Sequence, residues 1–234
     1  MIEIGKYKAV LENSGANTGS FNMGYDLKLL EKVRESEIPI FRTYFWNPWA
    51  ISLGKNQKSD GFDLAKLSRD GYDIVTRPTG GRAVFHGNEL TYSFICKLQD
   101  VSHHDIYRDI HLFFEKVFND LGIKSDFAKG DIKLSDFYNN KLSASCFASS
   151  ARYELTINNK KVVGSAQRVI DGFLLQHGSI PIDDSYLKIA DYQKGIEPDK
   201  IRSFLSKIST SVNENIKGNI AYDDILNVIN RYDL

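Results

Sequence analysis

Two periods alternate along the chain, and their order predicts the fold. The first residues, Met1-Ile-Glu-Ile-Gly-Lys-Tyr-Lys, alternate apolar with polar positions, and residues 6–12 carry the pattern of an opening strand. A polar, Gly-bearing loop is expected from Asn13 to Gly19. From Asn22 the period changes: Met23, Tyr25, Leu27, Leu29, Leu30 and Val33 form a helical stripe that ends near Glu35. Pro39 to Trp46 has the β-branched and aromatic content of a strand, stopped by Asn47-Pro48, and Ala50 to Gly54 forms a second, so 39–54 is expected to be a hairpin. A short helix over Phe62–Arg69, capped by Ser59 or Asp60, leads to a strand over Tyr72–Thr76. A Gly-Gly turn then opens a second hairpin over 83–97, turning at Gly87-Asn88. Ser102 caps a helix over 103–121 whose apolar face carries Ile106, Ile110, Phe113, Phe114, Val117 and Leu121, and Gly122 ends it.

The pattern then lapses. Residues 125–150 are polar and aperiodic, with Gly130, Asn139, Asn140 and a run of serines, and a connection of that length points to a functional loop. Strand patterns return over Tyr153–Ile157, Lys161–Gly164 and Gly172–Leu175, with a turn at Asn158-Asn159. Helices are expected near 183–190, 198–207 and 222–232. Hairpins mixed with helices predict an α+β fold, a mixed or antiparallel sheet flanked by helices, with residues 1–234 as a single domain.

Composition narrows the function classes. Lys+Arg and Asp+Glu are equal at 30 each, so net charge argues for neither a nucleic-acid partner nor an anionic membrane. No apolar run approaches the ~18 residues of a membrane span, and the N-terminus lacks the basic start and apolar core of a signal peptide. A cytoplasmic location is expected. Two cysteines, Cys96 and Cys146, suffice for neither a disulfide framework nor a thiol-rich zinc site.

The candidate chemistry gathers in three stretches. In Arg77-Pro-Thr-Gly-Gly-Arg-Ala-Val-Phe-His86, Pro78 stiffens a turn and Gly80-Gly81 lets the backbone be approached closely. Flanked by Arg77, Arg82 and His86, this is either a cradle for a polar, partly anionic ligand or a turn that needs glycine for geometry. Cys96, in Thr-Tyr-Ser-Phe-Ile-Cys, fits a core cysteine, whereas Cys146, in Ser-Ala-Ser-Cys-Phe-Ala-Ser-Ser, sits on a small-residue loop where a thiol can react. In Asn159-Lys-Lys-Val-Val-Gly-Ser-Ala-Gln167, strand alternation lets only one of Lys160 and Lys161 face a pocket, and Gly164, Ser165 and Ala166 leave room beside it. His177 closes a strand against Gly178. His103, His104 and His111 show no metal-binding spacing, and there is no Gly-x-Ser-x-Gly elbow, Walker loop or dinucleotide fingerprint.

Taken together and in order, these segments resemble the biotin/lipoate protein ligase superfamily over essentially the whole chain. The shared pattern is Arg-x-x-Gly-Gly-x-x-Val-x-His at 77–86, Lys-x-x-Gly-Ser-Ala at 161–166 and His177-Gly178, with Asn22-Met23, Asp26, Ile51-Ser-Leu-Gly54 and Ser209-Thr-Ser-Val212 as looser matches. Within the superfamily the chain is most similar to the LipM-type octanoyltransferases. Arg82 follows Gly80-Gly81 where ligases usually carry a third glycine, Cys146 stands where that branch has its acyl-accepting cysteine, and, with the sequence ending soon after 230, no separate C-terminal accessory domain is expected. It departs in having Ala144-Ser145 before Cys146 and Ala148-Ser149-Ser150 after Phe147, where the branch has prolines.

The resemblance implies transfer of an octanoyl group from acyl carrier protein, through a Cys146 thioester, to a lysine of a lipoyl domain such as the glycine-cleavage H protein or a 2-oxoacid dehydrogenase E2. Lys161 would favour the thiolate and then act as base. The donor arrives as an activated thioester on phosphopantetheine, so no ATP or metal is expected. Val84, Leu90 and Gly164–Ala166 are candidates for an acyl slot, while Arg77, Arg82 and His86 either fix the acyl carbonyl or steer the acidic carrier. The other reading is an ATP-dependent lipoate–protein ligase, or its catalytic subunit, with Lys161 and the Gly-Gly turn holding an acyl-adenylate.

Overall fold

The computed structural model describes residues 1–128 and 154–233. Strands β1 (Ile2–Ile4), β2 (Tyr7–Asn17), β3 (Ile40–Trp46), β4 (Ala50–Leu53), β5 (Asp73–Thr76), β6 (Val84–His86), β7 (Glu89–Lys97), β8 (Asp126–Phe127), β9 (Leu155–Ile157), β10 (Lys160–Lys161), β11 (Gly164–Ile170) and β12 (Phe173–Pro181) form three sheets. The large one has six strands in the order β1-β2-β3-β7-β12-β11, antiparallel except where β2 meets β3. A small sheet, β5-β4-β6, and a second three-stranded sheet, β10-β9-β8, stand beside it. The helices are α1 (Gly19–Ser36), α2 (Leu64–Arg69), α3 (His103–Asp120), α4 (Pro198–Ile208) and α5 (Tyr222–Asn230), with a 3-10 segment at Asp184–Asp191.

Side-chain alternation sorts the large sheet into two faces. Phe41, Tyr92, Phe94, Cys96 and Leu174 join the apolar face of α3 in the largest core. Full burial of an aromatic such as Phe114 contributes roughly 1.5–3 kcal/mol, so this face anchors α3. Ile40, Ile95 and Leu175 point the other way and meet Leu29, Leu30 and Val33 of α1. The small sheet buries Ile51, Leu53 and Phe85 against the 3-10 segment and α4, which leaves Ser52, Val84 and His86 turned toward the site.

Helix boundaries follow local chemistry. Ser102 caps α3 in a reciprocal capping box with Asp105, as its sequence predicts. Helix α1 starts earlier than its apolar stripe, because the Thr18 side chain accepts from the Phe21 N–H. Helix α2 is capped by Asp63 rather than Ser59 or Asp60. The expected loop at 13–19 is mostly strand: β2 runs to Asn17, with a register shift between Asn13 and Ala16 against β3.

Neither expected hairpin exists. β3 pairs with β2 and β7, whereas β4 pairs with β5 and β6. Likewise β6 belongs to the small sheet and β7 to the large one. Residues 47–49 and Gly87-Asn88 carry the chain between sheets. Gly87 is needed for close approach, not for a hairpin turn: a Cβ there would lie 2.3 Å from the Ser185 hydroxyl, which also accepts the Asn88 N–H. The strand expected over 161–164 divides into β10 and the start of β11.

Candidate active site

A cleft opens where the α1 face of the large sheet meets the small sheet. Its walls include Met23, Tyr44, Trp46, Val84 and Ala166, with Ser52, Arg77, His86, Thr91, His177 and Ser179 among them. Strand register builds the polar side. Arg42, Ser93, His177 and Ala166 stand in one cross-strand row, and Tyr44, Thr91, Ser179 and Gly164 in the next. Both rows lie on the α1 face by the period-2 rule.

The first row closes around Asp26 of α1. Arg42, wholly buried, donates to Asp26 Oδ1 at 2.7 Å and to the Asn22 side chain at 2.7 Å, with its guanidinium 3.8 Å from the Tyr44 ring centroid. Ser93 also donates to Asp26, at 2.8 Å. His177 joins Asp26 through Nδ1 at 3.3 Å and Thr79 Oγ1 through Nε2 at 2.6 Å. Burial pushes the Asp26 carboxyl up, but the His177 hydrogen bond and Arg42 outweigh it and hold the group below the ordinary carboxylate value. Burial lowers the His177 imidazole, partly offset by Asp26.

The second row closes around Glu89. Its carboxylate meets His86 Nδ1 at 2.7 Å and accepts the hydroxyls of Thr91 and Ser179. His86 Nε2 is 2.7 Å from Ser52 Oγ, and Trp46 stacks on the imidazole at 4.0 Å while donating its indole N–H to Thr91.

The Gly-Gly turn holds itself rather than facing the cleft. Arg77 donates to the carbonyls of Gly80, Arg82 and Ser52, and its Nη1 lies 3.2 Å from Ser52 Oγ. Gly81 has a positive φ of 91°, and a Cβ at Gly54 would sit 1.9 Å from its carbonyl oxygen. The two backbones touch there, which makes Gly54 as necessary as the pair it meets.

Of the residues singled out from sequence, Arg77, His86, Gly164, Ser165, Ala166, His177 and Gly178 line the cleft, as does Val84. Gly80, Gly81 and Arg82 are not among its walls. Leu90, expected in the slot, packs in the core on the α3 face. The Ser165 hydroxyl turns to that face too, meeting Tyr92 Oη at 2.7 Å and His111 Nε2 at 3.0 Å. Lys161, on β10, is buried and pairs through Nζ with Glu154 at 2.6 Å, outside the walls of the cleft. Cys146 lies outside the described residues. Cys96 is a core thiol, pushed up to about 12 by burial.

Trp46, Arg42 and Glu89 were not anticipated, and Asp26 and Ser52 entered only as parts of loose motifs. The signal was present: Arg42 interrupts an otherwise uncharged strand, and Glu89 follows His86 by three residues. Among the described residues, no group of three His, Cys, Asp or Glu side chains is placed to hold a metal ion, and no helix is long and apolar enough to cross a membrane.

Residues 18–231 match the model of the lipoyl protein ligase A/B catalytic domain. The chain is 38% identical to the octanoyltransferase LipM of Clostridioides difficile strain 630, covering 88% of this chain and 78% of that one. It is 35% identical to the LipM of Anoxybacillus flavithermus, covering 91% and 80%. A bipartite lipoate protein ligase of Thermoplasma acidophilum has the same fold, with a TM-score of 0.76 over 97% of this chain and 82% of that one at 18% identity.

Proposed function

The chain belongs to the lipoyl protein ligase A/B catalytic-domain family, and from that premise we propose that it is an octanoyltransferase, moving an octanoyl group from acyl carrier protein to a lysine of a lipoyl domain. The observation that carries this is the 35–38% identity to octanoyltransferases across most of both chains. The cleft suits an acyl chain: Met23, Tyr44, Trp46 and Val84 supply apolar wall, and the small residues Gly164, Ala166 and Gly178 keep it open.

The reaction needs two residues. The Cys146 thiolate attacks the carrier's thioester, a new thioester forms on Cys146, and the carrier thiol leaves. Lys161 as an ammonium favours the thiolate. Lys161 gives its proton to the departing carrier thiolate and, now neutral, accepts one from the incoming lysine amine as the amide forms and Cys146 leaves as the thiolate. The ion pair with Glu154 fixes where the Lys161 nitrogen sits.

Incubation with octanoyl-carrier protein and an apo lipoyl domain, without ATP, tests the reading by the mass of the lipoyl domain. Octanoylation is the expected result. Modification obtained only from free lipoate and ATP would make the protein a ligase.

A further inference from the structure

We propose that Ser52, His86 and Glu89 form a second nucleophilic site in the cleft, one that hydrolyses medium-chain acyl thioesters without Cys146. The hydrogen-bond donors fix its polarity. Thr91 Oγ1 accepts the Trp46 indole N–H at 2.8 Å, so its own proton goes to Glu89, and Ser179 donates to the other Glu89 oxygen. A carboxylate filled by those hydroxyls takes its third bond from His86 Nδ1–H, at 2.7 Å. Nε2 is then the bare nitrogen, and at 2.7 Å it accepts the Ser52 hydroxyl proton. Hydroxyl, imidazole and carboxylate are thus aligned as nucleophile, general base and orienting group, on a fold with no Gly-x-Ser-x-Gly elbow. The Arg77 guanidinium, whose Nη1 donates to Ser52 Oγ at 3.2 Å, places positive charge beside the hydroxyl that gives up its proton. Trp46, stacked at 4.0 Å, keeps the ring from turning. Ser52 and His86 both line the cleft, so the nucleophile and its base share a wall with the apolar slot.

The step balances without a further reactant. Ser52 Oγ bonds to the acyl carbon as the C–S bond breaks; His86 takes the hydroxyl proton and passes it to the departing thiolate. Water, deprotonated by His86, then opens the Ser52 ester, releasing the carboxylic acid and restoring the hydroxyl.

An octyl fluorophosphonate reports on Ser52 in the unaltered protein, because an activated hydroxyl displaces fluoride and keeps the phosphonyl group. Peptide mass mapping is expected to find the adduct on Ser52. In parallel, the Cys146→Ala variant should hydrolyse S-octanoyl-N-acetylcysteamine, and adding Ser52→Ala should slow release of octanoate about 100-fold. An adduct elsewhere or nowhere, or hydrolysis that is absent or indifferent to Ser52→Ala, would overturn the proposal. Since neither assay contains a lipoyl domain, its failure leaves octanoyl transfer standing, and failure of transfer leaves the hydrolase standing.

Discussion

Two histidines face the same cleft, each between a hydroxyl and a buried carboxylate, yet the two assemblies are built for different work. In Thr79–His177–Asp26, the carboxylate also binds Arg42, Ser93 and the Tyr44 hydroxyl, and Thr79 is not part of the cleft wall. In Ser52–His86–Glu89, hydroxyls and the imidazole surround the carboxylate, and Ser52 lines the cleft. The same three group types therefore brace α1 against the large sheet in one case and present an activatable oxygen in the other. What separates them is whether an arginine neutralises the carboxylate and where the hydroxyl points.

The contrast breaks most sharply at Arg42. Arg42→Met leaves Asp26 charged and buried without its guanidinium, and urea unfolding should show a loss of about 3–5 kcal/mol. Glu89→Gln keeps a polar group among the same donors and should cost less, about 1–3 kcal/mol. The reverse order would remove the distinction between brace and reactive site.

Acid should weaken the brace. The Asp26 carboxyl is depressed below 3.8 in the fold, so the unfolded chain binds its proton more readily. Its stabilisation is full above the unfolded value and disappears as pH falls through the folded one. His177, lowered below 6.5 by burial, acts in the same direction, since the unfolded chain takes up its proton first. Urea midpoints measured from pH 7 down to about 3 should fall steadily, and Asp26→Asn should flatten the limb below about pH 4. An Asp26→Asn profile that parallels the unaltered protein would contradict this.

Activity sharpens the contrast from the other side. In the Cys146→Ala background, Thr79→Val should leave thioester hydrolysis within about threefold, against the roughly hundredfold loss expected from Ser52→Ala. The smallest effect is expected at Trp46. Trp46→Phe keeps a ring over His86 but removes the donor to Thr91, and unfolding should register about 0.5–1.5 kcal/mol.

Local rules made much of the fold legible. Helix α3 follows from Ser102 and its apolar face, and the Asn158-Asn159 turn, both residues at positive φ, follows from residue type. The partners of β3, β4, β6 and β7 were not legible, because pairing is a long-range choice and adjacent strands here go to different sheets. The same blindness hid the two relays. His177, expected to close a strand against Gly178, instead lies inside β12, which runs on to Pro181, and Asp26, Arg42 and Glu89 find their partners only once α1 packs on the sheet and β3, β7 and β12 are in register. The composition of the Arg77 turn fits either a ligand cradle or a turn that needs glycine for geometry, and its arginine donates to carbonyls of the turn and to Ser52 beside the cleft.

In the proposed reaction an acyl group passes through a cysteine thioester before reaching a lipoyl lysine. Exposing the protein to octanoyl-carrier protein alone, with no lipoyl domain and no ATP, tests it directly. Mass spectrometry should find an octanoyl group on the Cys146 peptide, released by neutral hydroxylamine and absent from Cys146→Ala. A protein that stays unmodified at Cys146, or a Cys146→Ala variant that still octanoylates lipoyl domains at full rate, would contradict the claim.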